Sequence, residues 1–238
     1  MRRPLLLGVA LLAVAALVGC GGDGDGGEGE SSLEQALRRM VLQPEDLPNE
    51  FDQGDELLTT NQHQASLSAD PEARKDQLEN WGRLLGYEVT YQPLGAAFAV
   101  TPVQGINVSS SLYRTEEGAG QSFADAVKEA EERDWAANYA GLTDFQQVEV
   151  DASGLTDEIV WLRLSGFQPV PDGPGPLVTD DLILFRVGRE TGFLRVLANS
   201  TETEDRQHLR PTVAQWLRAL VENVEEVLAE PGFEVEEE

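Results

Sequence analysis

The sequence predicts an α+β fold, a single domain in which an antiparallel sheet packs against helices. Three observations carry this. Segments with a two-residue apolar alternation come in runs joined by short links, segments with a three- and four-residue apolar spacing interrupt them, and no internal repeat divides the chain. The chain has 238 residues and a single cysteine, so its stability has to come from a hydrophobic core and not from disulfides.

The elements follow in chain order. Ser32 and Gln35 read as a capping box that opens a short helix, with Leu33, Ala36, Leu37, Met40 and Val41 on one face. Pro44 and Pro48 bracket a turn that ends at Phe51. Residues 52–69 form a polar passage and read as loop. Asp70 caps a second helix, with Pro71 in its first position, an apolar stripe of Leu78, Trp81, Leu84 and Leu85, and Gly86 just past its end. Strands are expected at 87–91, 97–100 and 106–114. In the last of these, Ile106, Val108, Ser110 and Leu112 face one way, while Asn107, Ser109 and Ser111 face the other. A third helix is expected over 119–137 on Phe123, Val127 and Ala130. Four more strands follow at 147–151, 158–167, 180–188 and 192–199. The last helix has the clearest period, through Val213, Trp216, Leu217, Leu220, Val221, Val224, Val227 and Leu228, and Pro231 stops it.

The start of the chain carries an address. Arg2 and Arg3 precede an uncharged stretch, 4–18, that falls short of the roughly 20 residues a spanning helix needs. The following Leu17-Val18-Gly19-Cys20 resembles the lipobox of bacterial lipoproteins. That resemblance implies a diacylglyceryl thioether on Cys20, cleavage before it, and attachment to the extracytoplasmic side of the cell membrane through two acyl chains. Gly21 follows the cysteine, so the aspartate that favours inner-membrane retention in Gram-negative lipoproteins is absent. Residues 21–32, GGDGDGGEGESS, cannot build a core and read as a flexible tether with a reach of roughly 20 Å. Glu28 stands where a calcium loop would turn on glycine, which argues against calcium there. The chain thus divides into a signal (1–19), a lipidated cysteine and tether (20–32), a globular domain (33–232) and an acidic tail (233–238). Within the domain, Pro44-Glu45-Asp46-Leu47-Pro48 followed by Phe51 is similar to the opening of many uncharacterised envelope lipoproteins and sensor-type domains of high-GC bacteria. This implies a non-enzymatic α+β module and assigns no residue a role.

Charge and composition exclude several functions. The formal net charge is −26, and removing the signal takes away two arginines and no acid. A chain so acidic is not a nucleic-acid binder, nor does it grip anionic lipid through basic residues. His63 and His208 are the only histidines, neither has a partner at metal-ligand spacing, and no nucleophile elbow, P-loop or dinucleotide fingerprint is present. Adjacent acids such as Glu116-Glu117 and Asp180-Asp181 arise freely in such a chain. No catalytic residue, metal or cofactor is therefore expected.

One face suggests a binding site. Val160, Leu162 and Leu164 form the more apolar side of their strand, which turns Trp161 and Arg163 the other way. Ile183, Phe185 and Val187, with Leu194, Val196 and Ala198, likewise turn Arg186 and Arg195 outward. A hairpin centred on Glu190-Thr191 would set Ile183 against Ala198 and Arg186 against Arg195, with something negative between the two arginines. Trp161, Arg163, Arg186 and Arg195 are therefore the candidate ligand-binding residues, suited to a small anion or a sugar; the alternative is that these arginines balance nearby acids. The Pro- and Gly-rich stretch 169–176 reads as a surface loop or a lid. The function expected is a membrane-anchored lipoprotein with a non-catalytic ligand-binding or sensor-type domain. The rival is an envelope interaction or assembly protein, and a hydrolase ranks behind both.

Overall fold

The computed structural model describes residues 31–233 other than 100, 157, 172, 202 and 232. The signal, Cys20 and nearly all of the tether lie outside the described residues, as do 234–238. The order is α1 (Ser32–Arg39), β1 (Phe51–Thr59), α2 (Asn61–Ser66), α3 (Pro71–Asn80), β2 (Arg83–Pro93), β3 (Val103–Tyr113), α4 (Glu116–Glu132), α5 (Trp135–Asn138), β4 (Thr143–Glu149), β5 (Glu158–Val170), β6 (Gly173–Val187), β7 (Glu190–Ser200) and α6 (Thr203–Leu228). The seven strands form one antiparallel sheet in the order β1-β2-β3-β7-β6-β5-β4, which is the α+β architecture the sequence predicts.

Helices cover both faces. On one face, the stripe of α6 (Val213, Trp216, Leu217, Leu220, Val221 and Val224) and the buried side of α1 pack on Val89, Val108, Ile183, Phe185, Leu194 and Val196 to form the main core. On the other face, a smaller cluster of Trp135, Leu162, Leu164 and Leu182 sits near α4 and α5, with Tyr139 and Phe145 at its edge. At roughly 25 cal/mol per Å² of apolar surface removed from water, the main core is the dominant stabilising term.

Local chemistry explains where the expected boundaries move. The capping box of α1 is Ser31 with Glu34, one residue earlier than expected, with both bonds at 3.2 Å. Residues 51–59 pair with β2 as an edge strand, and Thr60 caps α2 by accepting the His63 N–H. An edge strand facing water on most of its length carries no apolar alternation, which is why 52–69 resembles loop. The second helix stops at Trp81, because Gly82 takes a left-handed φ of +69° as its C-terminal cap. Leu84, Leu85 and Gly86 therefore belong to β2. The strand expected at 97–100 is replaced by a 3-10 turn, Gly95–Ala99. The third helix begins at Glu116 behind a Thr115 cap and breaks at Arg133, where Asp134 caps the separate short α5. Most of the stretch expected as a loop or lid is strand: Pro169 pairs with Pro174 and Val170 with Gly173, so β5 extends to Val170 and β6 begins at Gly173. Phe233, expected in the tail, packs against the core beneath the Arg189 guanidinium.

Candidate functional site

The four residues expected to form one binding face do not share one. Trp161 pairs with Ile183 and is 1% exposed in the main core, and Arg163 follows it on that face. Arg186 and Arg195 lie on the opposite face. The alternation in β5 could not settle this, since both of its faces are buried and a one-residue change of parity exchanges them. The β6–β7 hairpin also turns earlier than expected. Val187 pairs with Glu190 across Gly188-Arg189, and Gly188 adopts a φ of +56° at the first turn position. Arg186 thus meets Thr191 and Arg195 meets Leu182, so the two arginines are not opposite each other.

Each arginine has its own acid. Asp181 receives Arg163 through Nε at 2.7 Å and Nη2 at 2.8 Å, and also accepts the Trp161 indole N–H at 2.7 Å. Its neighbour Asp180 points to the other face, where it holds Arg195 and accepts the Tyr139 hydroxyl. The hydrogen bonds that Arg195 donates to Asp180 raise the arginine's pKa, while burial, the larger effect at Tyr139, raises that phenol. Arg186 pairs with Glu158. Asp180 and Asp181 project from opposite sides of one strand, so they cannot work as a carboxylate pair.

A cleft lies elsewhere, between α2, α3 and α4 and the face of the sheet that carries Asn107, Ser109 and Ser111. It has a volume of about 310 Å³. Its floor is a ladder of small polar side chains: Asn107, Ser109 and Ser111 on β3, Glu88 on β2 and Thr191 on β7. Its apolar wall comprises Leu78, Phe123, Ala126, Leu184 and Phe193, and Leu67, 72% exposed, stands at its mouth.

Arg83 anchors one end of this cleft. It is 4% exposed and lies flat across the sheet above Gly86, where a Cβ would come within 2.2 Å of Arg83 Nη2 and 2.5 Å of Thr59 Oγ1. Only glycine leaves that space. All five guanidinium N–H groups donate to uncharged oxygens: the Thr59 carbonyl (2.8 Å) and hydroxyl (2.8 Å), the Asn61 amide oxygen (3.1 Å), and the Ser111 hydroxyl twice (3.1 and 3.3 Å). Among the described residues no carboxylate pairs with it, and burial lowers its pKa from the ordinary value. Buried charge without a counter-ion is costly, so this arrangement calls for a reason. By contrast, Arg74 at the rim is neutralised by Asp125 at 2.7 Å.

A smaller hollow of about 180 Å³ lies near Arg38, Glu56 and Tyr87. There the charges are already matched. Glu56 binds Arg38 at 2.7 Å and accepts the Tyr87 hydroxyl at 2.6 Å, which lowers the acid's pKa, and burial above all pushes the phenol up to about 12. Neither His63 nor His208 lines the cleft. Among the described residues no group of three or more metal-ligating side chains comes together.

The one signal in the sequence for this cleft was the polar side of β3, the run Asn107, Ser109 and Ser111 set against an apolar opposite face. Arg83 gave none, because its neighbours Leu84 and Leu85 continue the apolar spacing of a helix.

No protein-family model and no curated protein matches the chain. Among solved structures, it is similar to the crystal structure of the extracellular domain of PknH from Mycobacterium tuberculosis. The identity is 11% and the TM-score 0.45, with 83% of this chain and 97% of that chain covered.

Proposed function

We propose that this protein is a lipid-anchored extracytoplasmic lipoprotein whose domain binds a small ligand without transforming it. The sequence supports the address through its signal and the Cys20 lipobox. Binding is supported above all by one observation: the cleft floored by Asn107, Ser109 and Ser111 ends at a buried arginine that no acid among the described residues neutralises. The cleft is lined by hydroxyls, amides and an isolated carboxylate, which hold and orient a ligand. Its volume is near the lower limit of small-molecule sites, roughly 300–1,000 Å³.

The test fills the cleft from its floor. Ser109→Tyr adds a ring in the middle of the β3 ladder, and Ser109 is only half-buried, so the fold should tolerate it. A thermal-shift panel of amino acids, hydroxy acids, sugars and nucleotides at 1 mM should contain at least one compound that stabilises the wild-type protein. At a hundredfold excess over Kd, the gain is about 2.7 kcal/mol, or roughly 5–10 °C for a domain of this size. The shift should vanish in Ser109→Tyr. A shift that survives the filled cleft would place binding elsewhere and refute the reading.

A further inference from the structure

Resting on the cleft reading above, we infer that the ligand is a zwitterion of the α-amino-acid type, with its carboxylate toward Ser111 beside Arg83 and its ammonium toward Glu88. The argument begins with two opposite charges that the protein leaves unmatched in one cavity. Arg83 is held only by neutral oxygens. Glu88 has a single polar partner among the described residues, the Asn107 amide, which donates to its Oε1 at 2.6 Å. The second carboxylate oxygen of Glu88 has none.

Hydrogen counting gives the carboxylate end its donor. Ser111 Oγ accepts two N–H groups from Arg83, which occupies its lone pairs, so the serine proton has to be donated away from the guanidinium. Ser111 lines the cleft, and a hydroxyl polarised by an adjacent buried cation is a good donor to an anion. The Arg83 charge then acts through the serine.

Register sets the spacing. Ser111 pairs with Gly86 and Ser109 with Glu88, so Ser111 and Glu88 are diagonal neighbours on β2 and β3, with backbones about 7–8 Å apart. In an α-amino acid, the ammonium nitrogen and a carboxylate oxygen are about 3 Å apart. A hydrogen bond of about 2.8 Å at each end brings the span between the two protein oxygens to roughly 8–9 Å, which the long Glu88 side chain can meet from its place on β2. Leu78, Phe123, Leu184 and Phe193 then offer an apolar wall to the ligand's side chain. The charge of the whole chain points the same way. At a net −26, the protein repels a simple anion, whereas a zwitterion carries no net charge and still satisfies both poles. A neutral sugar would leave Arg83 and Glu88 as they are.

The experiment is calorimetric titration of the whole chain, purified in mild detergent, with glycine, alanine, valine, leucine and glutamine. Their N-acetyl and C-terminal amide derivatives, simple carboxylates and neutral hexoses complete the set. At least one free amino acid should bind with a submillimolar Kd, and both of its single-charge derivatives should bind tenfold more weakly or worse. Glu88→Gln should weaken the free amino acid at least tenfold and leave its N-acetyl derivative unchanged. Ser111→Ala should do the same for the free acid relative to its amide. Both side chains are half-buried, and thermal melts of the two variants provide the folding control. Equal binding of a single-charge derivative would overturn the zwitterion. Binding of only a hexose or a simple carboxylate, abolished by Ser109→Tyr, would also overturn it while leaving the cleft reading intact. Binding by no member of the set would overturn the zwitterion, and the cleft reading would then stand or fall on the wider thermal-shift panel.

Discussion

Glu190 is an acid with no counter-ion among the described residues. It opens β7, pairs with Val187 and Leu112 in the main core, and is 0% exposed. Neither carboxyl oxygen has a hydrogen-bond partner, and burial pushes its pKa well above the usual range. The neighbouring Ser110 hydroxyl, turned toward Met40 Sδ at 3.7 Å, offsets that only in part. A carboxyl kept neutral in the fold ionises freely once unfolded. Its stabilising contribution is therefore complete below the unfolded value, near pH 4.5, and is lost as pH rises toward the folded value. In that window the loss is about 1.4 kcal/mol per pH unit, or roughly 3–5 °C for a domain of this size. The melting temperature should fall from pH 5.5 to 8, and Glu190→Gln should flatten the slope; parallel slopes for the two proteins would refute the assignment. The acids that pair with arginine show the other solution to the same burial problem. Asp180 and Asp181 were legible in the sequence only as one more acidic doublet, because the alternation that sends them to opposite partners depends on strand parity. That parity cannot be read where both faces of a strand are buried.

Between elements, two glycines two residues apart on α4 separate packing from propensity. A Cβ on Gly118 would sit 1.8 Å from the Trp81 carbonyl, so α4 touches the end of α3 at bare backbone. A Cβ on Gly120 would meet nothing within 4 Å. Alanine raises intrinsic helix stability at either site by up to about 1 kcal/mol. Gly120→Ala should therefore stabilise the protein by about 0.5–1 kcal/mol, while Gly118→Ala should cost about 1–3 kcal/mol through overpacking, both read from denaturant melts. If both changes stabilised, the close contact between α3 and α4 would be wrong. The same scale shows what periodicity can and cannot reveal. The stripe of α6 was legible because one face of a long helix carries the core. β1 was not, because a solvated edge strand borrows its structure from the hydrogen bonds of β2. The end of α3 was hidden because Leu84 and Leu85 extend a helical spacing past Gly82, whose left-handed conformation the spacing does not encode.

For the whole molecule, the sheet supplied a fold that composition and alternation already announced, while the cleft depended on setting Arg83 and Glu88 of β2 beside Ser111 of β3 and so stayed hidden. The anchor remains a matter of the first twenty residues, and among the described residues no helix is long and apolar enough to cross a membrane. On the lipoprotein reading, Cys20→Ser should move the protein out of the membrane fraction or leave its signal uncut, as scored by fractionation and the N-terminal mass. A correctly cut Cys20→Ser protein still in the membrane fraction would contradict it. The strand order has a kinetic consequence. β1-β2-β3 and β4-β5-β6-β7 are each meanders of chain neighbours, and the pairing of β3 with β7 is their one seam, where Val108 meets Leu194. The meanders close short loops, but the seam closes a very long one, and its entropy has to be lost before any of its contacts form. The seam is thus the slow step of folding, and the cleft runs across it, with Ser109 and Glu88 on one bank and Phe193 and Leu184 on the other. A ligand seated there ties the two halves of the sheet together, so occupancy acts as a clasp on the last part of the molecule to close.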